Sequence, residues 1–233
     1  MKKSTFIIIT LMVFTLIVTG CSTTNVGQAT PKTQQVEIVN TVVAPEEKLL
    51  TVTTKADMVN FDSVEKLISE STVIVQGEVV GLDYFNFKIN TFTKAKIKVS
   101  TSFTDAVKAG DVLTFVDVGG ITTLDKLKLD TGFEGKPGAF SPITEKDKIT
   151  KVQVLFDGSP LLKLNDQIFF FGDEVKEDFY KLSEKKYYSP IGSYQGRFNI
   201  RGDKVERYSS VGISSQKMSK FDLEETIKSS VKK

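Results

Sequence analysis

Hydrophobic and polar positions change rhythm along this chain, and each change marks an element. Residues 6–18 are apolar apart from Thr10 and Thr15. Residues 22–47 are polar, rich in Thr and Gln, and carry Pro31 and Pro45. Val36 to Val43 within them has strand-like content, but the stretch reads as a flexible leader. Order is expected from Leu49 onward. Val64, Leu67 and Ile68 recur at i, i+3 and i+4 behind Asp62-Ser63-Val64-Glu65. That is a capping-box pattern, and it predicts a short amphipathic helix near 62–70. STVIVQGEVVGL (71–82) follows at once, a β-branched strand with Gly77 and Gly81 as bulge or bend points.

The sharpest periodicity lies in residues 88–99. Ile89, Thr91, Thr93, Ala95, Ile97 and Val99 alternate with Lys88, Asn90, Phe92, Lys94, Lys96 and Lys98. Strict alternation predicts a strand with one buried and one wet face. VLTFVDV (112–118) is apolar on both faces and predicts a central strand ended by Gly119-Gly120. Residues 121–150 form a polar excursion punctuated by Gly132, Gly135, Pro137, Gly138 and Pro142. A stretch of that length with little apolar content is usually functional or mobile.

Strands are predicted again at VQVLF (152–156) and at DQIFFFG (166–172), the most apolar of all, with EDFYKLS (177–183) expected to pair beside it. Residues 195–200 and 204–208 flank Arg201-Gly202-Asp203, a hairpin signal with Gly-Asp at its tip. Ser219-Lys220-Phe221-Asp222 is a second capping-box match, and Leu223, Ile227 and Val231 then share one face of a closing helix. Six to eight strands without a βα alternation predict a mainly β fold. The expected architecture is an antiparallel OB-like barrel or small sandwich, with a short helix before the first strand and a C-terminal helix.

The order of STVIVQGEVVGL, AKIKVSTSF, KAGDVLTFVDVGG, LKLNDQIFFFGD and YQGRFNIRGDKV resembles that of secreted OB-like barrels. Netrin-like and metalloproteinase-inhibitor domains are similar in strand order over residues 70–208, as are uncharacterised lipoproteins of Gram-positive bacteria. The chain departs from the netrin-like pattern in having none of its disulfide cysteines.

The apolar run at 6–18 is thirteen residues long, whereas a helix that crosses a hydrocarbon core needs ~20. With Lys2 and Lys3 before it and small residues after it, the run reads as a secretory signal. Val18-Thr19-Gly20-Cys21 resembles a bacterial lipobox, which implies cleavage before Cys21 and lipid on its sulfur. Two acyl chains on one residue give stable membrane attachment, where one gives marginal binding. Cys21 is the single cysteine of the chain, so neither a disulfide framework nor a thiolate metal site competes for it. The expected organisation is a signal at 1–20, a tether at 21–48, and a barrel domain at 49–233 carrying the polar insertion at 121–150. The expected location is the extracytoplasmic face of the cell membrane, held by the lipid on Cys21.

Charge adds little to this picture. Taking Lys2 and Lys3 from the 31 cations leaves 29 against 29 anions. The basic balance therefore belongs to the leader, and it gives no ground for nucleic-acid binding. Histidine is absent, which removes the commonest general base and metal ligand. No cofactor or metal site is expected. Arginine occurs three times, at Arg197, Arg201 and Arg207, and lysine supplies the other 28 cations.

Several short motifs reduce to turn chemistry. Asp130-Thr131-Gly132 matches an aspartic-protease tripeptide, but it occurs once and lacks the apolar strand before it; paired aspartates are required there. Arg201-Gly202-Asp203 matches an adhesion tripeptide, yet a hairpin explains it fully. Lys94, Lys96 and Lys98 fit a solvated face or a lysine-blunted edge, with contact to an anionic polymer or lipid headgroup as the functional reading. Tyr180, Tyr187, Tyr188, Tyr194 and Phe198 fit core packing, with sugar or peptide stacking as the functional reading. In an OB-like barrel the ligand face involves the second and third strands and adjoining loops. That places the candidate ligand face at Phe85, Phe87, Phe92 and Lys94, with Tyr187, Tyr188 and Tyr194 beside it. Glu145, Asp147, Asp157, Asp173, Glu174, Glu177 and Asp178 show no EF-hand spacing. The sequence thus reads as a non-enzymatic binding or accessory module with an envelope polymer or protein as partner. The alternative is a carboxylate-dependent cell-envelope hydrolase.

Overall fold

The computed structural model of the chain describes residues 49–55, 58–132, 138, 142–176, 179–209 and 216–231. The leader, the lipobox and the strand-like residues 36–43 lie outside them.

β1 (Leu50–Thr54) opens the described chain, followed by α1 (Val64–Glu70), β2 (Val73–Phe87), β3 (Asn90–Ser102), β4 (Val112–Val118) and β5 (Gly120–Thr123). A 3-10 turn at Leu124–Leu127 and the single-turn α2 (Glu145–Lys148) precede β6 (Lys151–Phe156) and β7 (Gln167–Glu174). Then come β8 (Tyr188–Pro190), a 3-10 turn at Ser193–Gly196, β9 (Arg197–Arg201), β10 (Lys204–Arg207), β11 (Gln216–Ser219) and α3 (Lys220–Val231).

Five strands close on themselves in the ring β7–β2–β3–β4–β8 and back to β7. Every pair in it is antiparallel except β4 with β8, which meet in parallel at Phe115↔Tyr188. The fold is mainly β, with a closed five-stranded barrel compatible with an OB-like barrel, a short helix before β2 and a C-terminal helix. Closure leaves the ring no free edge to cap. The second edge of β7 is divided: Ile168 to Phe170 pair with β9, and Gly172 to Glu174 pair with β8. The sheet therefore forks there, and β9, β10 and β11 splay away as an extension.

Alternation sorts the side chains. Val73, Val75, Val79, Ala95, Ile97, Val99, Leu113, Phe115, Ile168, Phe170 and Tyr188 fill the barrel interior with Leu162. Of the expected inward set, Thr91, Thr93, Ala95, Ile97 and Val99 are buried, Ala95 and Ile97 fully, while Ile89 sits half-buried in the turn between β2 and β3. The outer side of β2, β7, β9 and β10 contributes Ile74, Phe169, Phe171, Phe198 and Val205 to a second core. Helices α1 and α3 cover it with Val64, Leu67, Ile68, Leu223 and Ile227. The run Ile168-Phe169-Phe170-Phe171 is 0% exposed, because its strand separates the two cores and needs apolar residues on both faces.

Local signals explain the element ends. The Asp222 amide donates to Ser219 Oγ at 3.0 Å, so the second expected cap forms; at α1 the Lys66 amide donates to Ser63 Oγ at 3.2 Å, which puts the cap one residue after the Asp62 that the expected box pairs with Glu65. Register shifts fall at Gln76/Gly77 and Val79/Gly81, the two expected bulges. A Cβ on Gly77 would lie 2.6 Å from both Ile97 Cγ2 and the Lys98 carbonyl, so only glycine permits that approach. Gly202 (φ 64°) starts the two-residue turn that joins Arg201 to Lys204.

Four expectations change. Residues 179–183, the described part of the strand expected at 177–183, form no strand beside β7, because β2 takes one edge of β7 while β9 and β8 share the other. Part of the 121–150 excursion is regular. β5 pairs antiparallel with β6, Thr144 caps α2, and the Ile143 amide donates to Asp130 Oδ2 at 3.0 Å. The lysine face of β3 is not uniformly wet, as shown below. Val231 is 41% exposed, so only Leu223 and Ile227 anchor the final helix.

The remaining strands form a small sheet in the order β1–β6–β5, packed through Leu127, Val152 and Val154. It is tied to the barrel by hydroxyls: Thr122 Oγ1 donates to Asn86 Oδ1 at 2.8 Å, and Asn86 Nδ2 donates to Thr91 Oγ1 at 3.0 Å.

Candidate functional site

The described residues between β7 and β8, 175–176 and 179–187, leave the sheet and lie as a strap over the outer face of the barrel. Phe85, Phe87, Phe92, Val116 and Val118 form that face; Val175, Tyr180, Leu182 and Tyr187 come down on it from the strap. Tyr180 is the hub. Its ring centroid lies 4.8 Å from Phe92, 4.9 Å from Phe179, 5.6 Å from Phe87, 5.8 Å from Phe85 and 5.9 Å from Tyr187. Several meet edge to face, the arrangement ring quadrupoles favour. Burial in this apolar setting, with Tyr187 and Asp117 adding to it, pushes the Tyr180 phenol up to about 12. It stays a neutral hydroxyl at any physiological pH.

The cluster grades from dry to wet. Phe92 and Tyr187 are buried, Phe85 and Phe87 are half-buried, and Phe179 is 58% exposed with its ring 5.3 Å from Phe87. A polar clasp sits beside it. Glu184 Oε1 lies 3.2 Å from both Lys94 Nζ and Lys96 Nζ, and Lys96 Nζ donates to Thr114 Oγ1 at 2.7 Å. Burial alone would raise the Glu184 carboxyl. Its own backbone amide and the two lysines prevail and hold it down at about 2. Lys94 also reaches Asp83 at 3.5 Å. A cavity of about 350 Å³ opens along the strap itself, lined by Glu174, Val175, Leu182, Glu184 and Tyr187 among others.

The sequence-named residues therefore divide. Phe85, Phe87, Phe92, Lys94 and Tyr187 come together on the outer side of the hairpin β2–β3 and its neighbour β4. Tyr188 points into the barrel interior instead. Tyr194 lies elsewhere, its hydroxyl donating to Asp157 Oδ2 at 2.8 Å and its ring 5.5 Å from Tyr208. Phe85 and Phe87 lie on β2, the first strand of the ring, and Phe92 and Lys94 on β3, while the strap of the same chain occupies much of their outer face. Tyr180, Phe179 and Glu184 complete the arrangement. Their signal in the sequence was the density of aromatic and lysine residues at 176–188, which marks a covering segment as well as a strand.

A second polar feature closes one end of the barrel. Arg197 Nη1 donates to Asp117 Oδ2 at 2.9 Å, and the two side chains are 4% and 5% exposed. Arg197 Nη2 also donates to Ser159 Oγ at 3.0 Å and to the Pro160 carbonyl at 2.6 Å. Burial pushes the Asp117 carboxyl up from its ordinary value, while Arg197 and the Val118 amide draw it back. All of these contacts are internal, and they fasten the Asp157-Gly158-Ser159-Pro160 turn to the barrel.

The remaining carboxylates are dispersed. Asp173 accepts from Thr72 Oγ1, Glu174 pairs with Lys186, and Asp147 accepts from Thr144 Oγ1. Glu177 and Asp178 lie outside the described residues. Among the described residues no three acidic, cysteine or histidine side chains gather as metal ligands, and no helix is long and apolar enough to cross a membrane. No family model, curated protein or solved structure matches the chain.

Proposed function

We propose that the chain is an extracytoplasmic lipoprotein, held at the cell membrane by lipid on Cys21, whose barrel serves as a non-enzymatic binding or accessory module. The leader carries this reading: a two-lysine start, an apolar run of thirteen residues and Val18-Thr19-Gly20-Cys21 in succession. Between the anchor and the barrel, the polar residues 22–47 act as a spacer. Ligand contact falls to the graded aromatic face at Phe87 and Phe179, where half-exposed rings offer stacking surfaces to a sugar or peptide. The dispersal of Asp147, Asp157, Asp173 and Glu174 into separate hydrogen bonds favours this over a carboxylate-dependent hydrolase.

Replacing the anchor gives the first test. Cys21→Ala should leave the protein in its precursor size or release it from the membrane fraction. Retention with normal processing refutes lipidation. The binding role is tested by thermal shifts of the full chain across glycans, peptides and divalent ions. At least one ligand should raise Tm, and Phe87→Ala with Phe179→Ala should abolish that rise. A flat panel leaves the protein as an envelope spacer.

A further inference from the structure

The small sheet ends in a strand edge built for pairing. β1 pairs with β6 in parallel, from Leu50↔Val152 to Thr54↔Phe156. The Asp157 amide donates to the Thr54 carbonyl at 2.7 Å, so Thr54, Val52 and Leu50 turn their backbone groups toward β6. Thr51 and Thr53 therefore aim theirs outward, and among the described residues no strand pairs with that side. Natural edges are usually blunted by charge, proline, a bulge or short length. The outer edge of the larger sheet obeys this: β11 has four residues, and its Lys217 pairs with Glu206 at 3.1 Å. β1, one residue longer, carries no charge, proline or bulge within it. It reads Leu-Thr-Val-Thr-Thr, all exposed except Val52, with Leu50 57% exposed beside it on the core face.

We propose that this edge pairs antiparallel with β1 of a second copy of the chain, about a two-fold axis at Val52. In that register Thr51 of each copy stands opposite Thr53 of the other. These are the residues with outward backbone groups, so each such pair exchanges hydrogen bonds. Val52 then faces Val52 as a non-hydrogen-bonded pair with Cα atoms ~4.5 Å apart, and Leu50 is covered beside Thr54. No charged residue meets its like, which is what self-pairing of a strand requires. The register selects the antiparallel sense: it sets Thr51 opposite Thr53 and keeps the two Lys55 residues at opposite ends of the seam, where an in-register parallel pair would set them side by side. The contact is isologous and closes at two copies. A seam of five residues per copy falls below the ~1,000 Å² expected of a permanent interface. The association is therefore weak and concentration-dependent.

The test uses the full chain carrying Cys21→Ser, so that an introduced thiol is the sole one. Under mild oxidation Val52→Cys should give several-fold more disulfide-linked dimer than Val59→Cys, a control position that is 65% exposed. Adding Thr51→Lys and Thr53→Lys lines the seam with four ammonium groups and should remove that excess while the circular dichroism spectrum stays unchanged. In parallel, light scattering on the chain without introduced cysteine should show mass rising with concentration, and the lysine pair should hold it at monomer. Equal cross-linking at the two positions, an excess that survives the lysines, capture of a different protein at Val52, or a constant monomer mass each overturns the proposal.

Discussion

The barrel carries two coverings on its outer surface, and they are built differently. On the side of β2, β7 and β9, helices α1 and α3 seal Phe169, Phe171 and Phe198 at 0% exposure. On the side of β3 and β4, the strap seals Phe92 and Tyr187 but leaves Phe87 half-buried and Phe179 largely exposed. The helical covering is interlocked aliphatic and aromatic packing. The strap covering adds a phenol hub and a carboxylate clasped by two lysines. The two coverings therefore differ in what they leave to solvent: the helices leave nothing of Phe169, Phe171 and Phe198, and the strap leaves exposed rings beside paired charges, the surface to which the proposed function assigns ligand contact.

That division can be broken from the large end first. Phe171→Ala empties a fully enclosed site between helices and barrel, so it should cost ~3–5 kcal/mol, while Tyr180→Ala, with its ring partly in water, should cost roughly half of that or less. Denaturant melts of the two variants check the ratio; equal costs would erase the distinction between the coverings. The smallest effect belongs to the clasp. Glu184→Gln should lower stability at neutral pH by under ~1 kcal/mol, as for other accessible ion pairs. The sign with pH follows from the carboxyl standing at about 2 when folded against the usual 4.5. The advantage of the native chain over Glu184→Gln is complete above pH 4.5 and disappears as pH falls toward 2. Thermal melts of both chains from pH 7 to pH 2 should therefore converge at the acid end.

How much of this was legible in advance depended on whether the information was local. The cap at Ser219, the cap of α1 to within one residue, the bulges at Gly77 and Gly81, and the inward set Thr93, Ala95, Ile97 and Val99 all follow from near neighbours. The double-sided burial of Ile168 to Phe171 also follows from its unbroken apolar run. The position of residues 179–187 does not, because Phe179, Tyr180 and Leu182 suit a strand or a strap equally well. Which one forms is decided by the edges of β7, which strands distant in sequence have already taken. The closing ion pair left a faint trace that was read only as composition. Asp117 interrupts an apolar strand, and of the three arginines in a lysine-rich chain, Arg197 and Arg207 are buried. A planar guanidinium can serve several acceptors from a desolvated site, which an ammonium does poorly. Arg207, also buried, donates to the Phe61 carbonyl at 2.7 Å and lays its guanidinium over the Phe198 ring.

The ring has a kinetic consequence. Val73 in its first strand pairs with Gly172, and Phe115 waits for Tyr188. Neither can find its neighbour until nearly a hundred further residues, or more than seventy, have been synthesised. Local contacts within the hairpin β2–β3 form early, but the barrel shuts only when the three-residue strand β8 arrives. Topologies dominated by such distant pairings fold on the order of milliseconds to seconds. When β7 emerges its barrel partners in β2 and β4 already exist, but the outer faces of Phe169 and Phe171 wait for Phe198, Leu223 and Ile227, so the most apolar strand stays half covered until the final helix is made.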